Sequence, residues 1–168
     1  LAFFTEAVFL AIYLYGWERL SPRLHLAAGV AVCVSGLASA VFVTLVNAWM
    51  NTPRGFRLDE AGRFVDIDVW AAMSTPAAAH EVVHMALAAY MATALGAAGV
   101  HAWALLRARR AGVAAPALHR KALGVALAVA IPVSLAQPVV GHWAGQVVAE
   151  HQPMKLAAME QLEHTQRR

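Results

Sequence analysis

Five consecutive residues, His80-Glu81-Val82-Val83-His84, carry the densest chemistry in this chain. On a helix, imidazoles at i and i+4 share a face, and the Glu81 carboxylate lies about 60° round from His84. As a pattern the run is H-E-x-x-H, two zinc ligands and a general base. Within an apolar helix it is also a cluster of ionisable groups where lipid makes them costly, and where they are functional by default. Zinc hydrolysis needs a third protein ligand and an open position for water. His101 lies on the same helix but roughly 26 Å further along it, out of reach. His142, Glu150 and His151 fall on the correct side and remain as candidates. One reading of the run is therefore an intramembrane zinc metalloprotease using His80, Glu81 and His84.

The other reading starts from His84 alone. Ala88, Ala92 and Gly96 follow it at steps of four, each step overshooting the helical repeat by about 40°, so the stripe spirals gently. Small residues there admit either another helix at close approach or a flat ligand against the backbone. A histidine leading onto such a surface suits axial ligation of haem iron; the alternative is a histidine hydrogen-bonded between helices. His80, a turn nearer the interface, reads as solvated.

Three further places carry chemistry. Glu6 sits in an apolar stretch with no basic residue within a turn; an intramembrane carboxylate marks a proton or ion route, or a buried site. Ser39 could pass a proton through its hydroxyl or bond the carbonyl four residues back. In the tail, Gln152-Pro153-Met154-Lys155-Leu156-Ala157-Ala158-Met159-Glu160 is a proline-started amphipathic segment. Lys155 and Glu160 stand about 140° apart on it and need not pair; by itself this is a solvated face.

These groups need apolar helices to hold them, and the composition supplies them. Sixty per cent of residues are apolar, 14% are charged and mean hydropathy is +0.56, whereas soluble domains carry about 25% charge. The charge gathers in three short connections and the tail, leaving four blocks. The expected fold is all-α, a polytopic membrane bundle with four transmembrane helices at residues 2–17, 24–48, 76–106 and 118–143, followed by an extracytoplasmic segment at 144–168. The first block is short of the roughly 20 residues a span needs, so the polypeptide is expected to begin partway along a helix, as an internal piece of a larger membrane protein. The polar terminus His164-Thr165-Gln166-Arg167-Arg168 agrees with that expectation.

Local signals mark the ends. Glu18-Arg19-Leu20-Ser21-Pro22 stops the first helix, Trp49 stands where an interfacial anchor belongs, and Ser74-Thr75-Pro76 reads as a cap with proline at the first helical position. Pro132 should kink the fourth helix, which lipid tolerates. Gly55 to Gly62 reads as a surface hairpin. The third connection holds Arg107, Arg109, Arg110, Arg120 and Lys121 without an acid, so it is expected on the cytoplasmic side with Arg19 and Arg23. The mixed-charge second connection and the tail then face outward. A pI near 9.5 reflects this orientation; nothing resembles a nucleic-acid platform. Cys33, the single cysteine, forms no internal disulfide and reads as a small core residue.

Taken together, the segments resemble subunit I of the cytochrome bd-type quinol oxidases over essentially the whole chain. Phe3-Phe4-Thr5-Glu6-Ala7 through Tyr15-Gly16-Trp17-Glu18-Arg19-Leu20 is similar to that family's third membrane helix. Ser39-Ala40 with Asn47-Ala48-Trp49-Met50-Asn51-Thr52-Pro53 resembles its fourth helix and exit. Pro76 to Tyr90 resembles the next helix, and Lys155-Leu156-Ala157-Ala158-Met159-Glu160 the start of its quinol loop. The resemblance implies that His84 is the axial ligand of a low-spin haem b, whose methionine partner would lie beyond Arg168. It implies that Glu6 and Ser39 belong to a proton route, and that Lys155 and Glu160 serve quinol oxidation. Quinol (ubiquinol or menaquinol) would be oxidised at the outer face of the bacterial inner membrane. Electrons would pass through haem to a high-spin haem b and a haem d or b, where oxygen becomes water. A second oxidase subunit and the remainder of subunit I are implied partners. The family's other haem ligands fall outside these residues, so the chain alone is expected to be inactive, and the family does not require His80 or Glu81.

Overall fold

The structure is a computed structural model that describes residues 1–161; the polar terminus His164 to Arg168 lies outside the described residues. It divides into two compact units, Leu1–Ala78 and the residues from Ala79 onward.

In the first unit, α1 (Ala2–Tyr15) and α2 (Pro22–Asn51) form an antiparallel pair. The turn between them depends on Gly16: a Cβ there would collide with the Ile12 carbonyl oxygen and lie 2.6 Å from Leu20 Cδ1. Ser21 caps α2, accepting from the Leu24 N–H at 3.5 Å, with Pro22 at the first helical position, where its missing N–H costs nothing. His25 locks the turn. Its ring stacks on Tyr13 at 4.4 Å and meets Trp17 edge-on at 4.6 Å, and its Nε2 lies 2.9 Å from the Tyr13 carbonyl oxygen.

After α2 the chain makes the expected hairpin, β1 (Arg57–Leu58) against β2 (Phe64–Val65), antiparallel with Arg57 opposite Val65. Asp59 organises its tip, accepting from the Ala61 and Arg63 backbone N–H groups and from Arg63 Nε, all within 2.9 Å. Those bonds, the Arg63 backbone N–H first, hold the Asp59 carboxyl below its ordinary 3.8. A short α3 (Val69–Met73) follows, capped by Asp68. Gly55, at φ +83°, lets the chain pass close to Asp68 and Ala72, where a Cβ would meet backbone at 2.5 Å. The anticipated cap at Ser74-Thr75-Pro76 is not made. Ser74 Oγ instead donates to the Trp70 carbonyl of α3, and Thr75 Oγ1 is buried without a partner among the described residues.

The next helix, α4 (Ala78–Arg110), therefore starts two residues later than Pro76. It closes in a Schellman turn at Gly112 (φ +68°), with Gly112 N–H to Arg109 O and Val113 N–H to Ala108 O, and Arg107, Arg109 and Arg110 suit the negative end of its dipole. α5 (Ala117–His151) runs eight residues past the expected end at Trp143. Ala144-Gly145-Gln146-Val147-Val148-Ala149 contains no proline to interrupt it, and the stop comes only at Pro153, which begins α6 (Pro153–Met159). Pro132 and Pro138 both lie inside α5. The segment at 144–168 thus opens as helix rather than as loop.

Among the described residues three helices, α2, α4 and α5, are long and apolar enough to cross a membrane, and α1 is a shorter apolar helix; its 14 residues span roughly 21 Å. Burial follows the logic of lipid rather than water. The buried side chains are small, such as Ala28, Ser35, Ala48, Ala94 and Ala130, while Phe3, Phe42, Leu135 and Val139 are exposed. Small residues let helix backbones approach while large apolar ones face outward, as expected where lipid offers no hydrophobic drive to bury them. Cys33, expected in the core, is exposed.

Candidate functional site

In the second unit, α4 carries His84 toward α5. The Gln137 amide nitrogen lies 3.1 Å from His84 Nε2, 3.4 Å from Nδ1 and 3.4 Å from the His84 carbonyl oxygen. A Cβ at Gly141, one turn beyond Gln137, would lie 3.9 Å from His84 Cε1. Gln137 and Gly141 thus frame the half-buried ring. This is the interhelical hydrogen bond weighed against ligation in the sequence, and it does not exhaust the imidazole. A neutral ring has one donor and one acceptor nitrogen, so a bond to Gln137 leaves the other nitrogen for a second partner.

The surroundings fit a flat metal-bearing ligand. Ala92 and Gly96, further along α4, are exposed, and a Cβ at Gly96 would meet nothing within 4 Å. Gln137 Oε1 is buried without a partner among the described residues. Turning that amide over would let the oxygen accept from a ring N–H, the arrangement by which a carbonyl fixes the tautomer of a metal-bound imidazole. Sequence reasoning passed over Gln137. The available signal was a lone amide inside the apolar run Leu135-Ala136-Gln137-Pro138-Val139, since polar groups within a span usually pair across helices.

His80 departs from expectation. It is only 4% exposed, not solvated, and neither ring nitrogen has a partner among the described residues. Trp143 meets its ring edge-on at 6.0 Å. The cause is the continuation of α5: a helix ending at Trp143 would fray there, whereas one running to His151 holds the indole against His80. Glu81 is half-buried, and Lys155 of α6 lies within electrostatic reach of both His80 and Glu81. That juxtaposition was not legible in the sequence.

Among the described residues, zinc finds no third ligand: no three His, Cys, Asp or Glu side chains gather as a metal site. Of the candidates, His151 Nδ1 turns to the Val147 carbonyl at 3.2 Å and stands 4.0 Å from Glu150, and His142 is exposed. At the far end of α4, His101 Nδ1 lies 3.0 Å from His119 Nδ1 of α5, so one ring donates and the other accepts.

In the first unit, Glu6 points from α1 at Gly36 of α2, its Oε1 3.2 Å from where a Cβ would stand. Ser39 follows Gly36 within one turn. Its hydroxyl makes no hydrogen bond among the described residues, unlike Ser35, which donates to the Ala31 carbonyl at 2.7 Å. The glycine therefore seats the Glu6 carboxylate on the part of α2 that presents Ser39. Lys155 and Glu160 are exposed, Lys155 within α6 and Glu160 at its C-terminal cap.

The chain matches the family described as cytochrome bd terminal oxidase subunit I over residues 1–168. It is 40% identical to a Bacillus subtilis (strain 168) protein provisionally named cytochrome bd menaquinol oxidase subunit I, across 98% of this chain and 37% of the relative. It is 30% identical to cytochrome bd-II ubiquinol oxidase subunit 1 of Escherichia coli (strain K12), across 95% of this chain and 30% of the relative. Among solved structures it resembles the bd oxidase from Geobacillus thermodenitrificans, with a TM-score of 0.80 and 43% identity over 94% of this chain and 35% of that one. The chain therefore spans about a third of the length of these relatives.

Proposed function

Because the chain belongs to the cytochrome bd terminal oxidase subunit I family, we propose that it forms the part of a quinol:oxygen oxidoreductase that receives electrons from quinol and passes them inward through haem. The observation carrying this reading is His84: an imidazole inside an apolar membrane helix, held by the Gln137 amide, on a helix whose exposed small residues Ala92 and Gly96 follow further along. His84 would hold the iron of a low-spin haem b, and Gln137 would orient its ring. When bound, that haem supplies one-electron transfer.

The remaining residues supply binding and proton handling. Lys155 and Glu160, on and after α6, are assigned to the quinol, where a cation can orient the hydroxyl oxygens and a carboxylate can accept their protons. Glu6, seated on Gly36, and Ser39 within a turn of it would form part of the route that carries protons toward oxygen. The arginine-rich connection between α4 and α5 supports a cytoplasmic position for that turn, with quinol on the outer side of the bacterial inner membrane. A high-spin haem b, a haem d or b, and a second subunit complete the oxidase, and ubiquinol or menaquinol is the donor.

The test is a reduced-minus-oxidised spectrum of membranes carrying the full-length protein. His84→Ala should abolish a low-spin b-type band that His80→Ala retains. A spectrum unaltered by His84→Ala would remove the haem assignment.

A further inference from the structure

His80 is the member of the H-E-x-x-H run that the proposed function leaves unused, and its surroundings are the least satisfied in the second unit. It is 96% buried by its 4% exposure, yet neither Nδ1 nor Nε2 has a partner among the described residues. A neutral imidazole carries one donor and one acceptor, and each left unmet in a buried site is destabilising. Phenylalanine would fill the same space against Trp143 without that cost. The ring is thus built for a partner that the described chain does not contain.

Its position narrows what the partner is. His80 stands one turn before His84, about 6 Å nearer the start of α4 and about 40° round the helix. Lys155 also lies within electrostatic reach, and Trp143 meets the ring edge-on at 6.0 Å. A positive neighbour disfavours a cation as the partner and favours an oxygen that bears or develops negative charge.

We propose that His80 donates a hydrogen bond to an oxygen of a ligand seated between His84 and Lys155, either a propionate of the haem held by His84 or a hydroxyl of the quinol. This rests on the proposed function and gives the first histidine of the run a binding role alongside the second.

The experiment uses the full-length oxidase with its partner subunit in native membranes. His80→Phe keeps a ring against Trp143 and removes both nitrogens; His80→Leu stands in if the phenylalanine variant does not accumulate. His80→Gln restores a donor. Two readouts separate the sources: the midpoint potential of the band that His84→Ala abolishes, and the KM for quinol. If the partner is a propionate, His80→Phe lowers the potential and leaves KM unchanged, because a carboxylate without its donor favours the ferric state. If it is the quinol, KM rises roughly tenfold at unchanged potential. In either case His80→Gln recovers most of the change. Wild-type values of both readouts in His80→Phe would overturn the proposal, as would a change that His80→Gln does not reverse, which marks packing alone. Survival of the band in His84→Ala would instead fail the parent reading, whatever the His80 variants do.

Discussion

Replacing Gln137 with leucine tests the most specific contact in the second unit. The amide lies 3.1 Å from His84 Nε2, and leucine matches it in bulk while removing every hydrogen-bonding atom. Two terms follow. The lost hydrogen bond contributes about 1 kcal/mol, and a half-buried imidazole nitrogen left without a partner costs at least about 1 kcal/mol more. Averages for hydrogen bonds between membrane helices are somewhat smaller, so the expected total is about 2 kcal/mol. At about 1.4 kcal/mol per decade, that weakens retention of a ligand on His84 roughly 30-fold, within the range seen when a group orienting a metal-bound histidine is removed. The assay is the amplitude of the low-spin band per unit of protein, followed through detergent dilution of the purified full-length oxidase. Gln137→Leu should lose the band at dilutions that the wild type survives, while Gly141→Ala should behave as wild type, since its Cβ would make ordinary contact at 3.9 Å with His84 Cε1. Equal retention in Gln137→Leu and wild type would refute the claim that this amide holds the ring.

Two further outcomes concern the first unit. At Gly36, alanine gains up to about 1 kcal/mol of helix propensity against a shift of a few tenths of an ångström by the Glu6 carboxylate, so stability should change little. Gly36→Leu should cost about 1–3 kcal/mol by overpacking and push Glu6 off its seat. Thermal unfolding and oxygen consumption of the full oxidase check both, and wild-type turnover in a folded Gly36→Leu protein would show that the seat is not used. At the hairpin, the folded Asp59 carboxyl lies below its ordinary 3.8, chiefly through the Arg63 backbone N–H. Its contribution is therefore present above the unfolded value and lost as pH falls through the lower folded one. The protection of the Arg63 amide against exchange, taken relative to its intrinsic rate, should fall below pH 4 in the wild type, and Asp59→Asn should remove that pH dependence.

The sequence by itself determined the class of the protein. Four apolar blocks separated by charged turns can only be membrane helices, because chain in hydrocarbon must satisfy its backbone internally. Local chemistry also marked the charged stop after the first helix, the Gly55–Gly62 hairpin and the proline start of α6. Each depends on neighbours within a few residues, which a linear reading contains. The family was legible for a similar reason, since its motifs are runs of adjacent residues.

What tertiary structure decided lies between helices. His80 and His84 look alike in the sequence, one turn apart on one face, yet one is buried with unmet nitrogens and the other is held by Gln137. The difference comes from α5, which sets the Trp143 indole edge-on to one imidazole and the Gln137 amide against the other. Where that helix stopped depended on Pro153 rather than on hydrophobicity, because polar residues such as His142 and Gln146 neither extend nor end a helix. Lys155 reaches His80 and Glu81 across a separation of more than seventy positions, and Glu6 meets Gly36 in the same way. Such registers follow from how side chains fit at an interface, and the periodicity of a single helix does not contain its neighbour's offset.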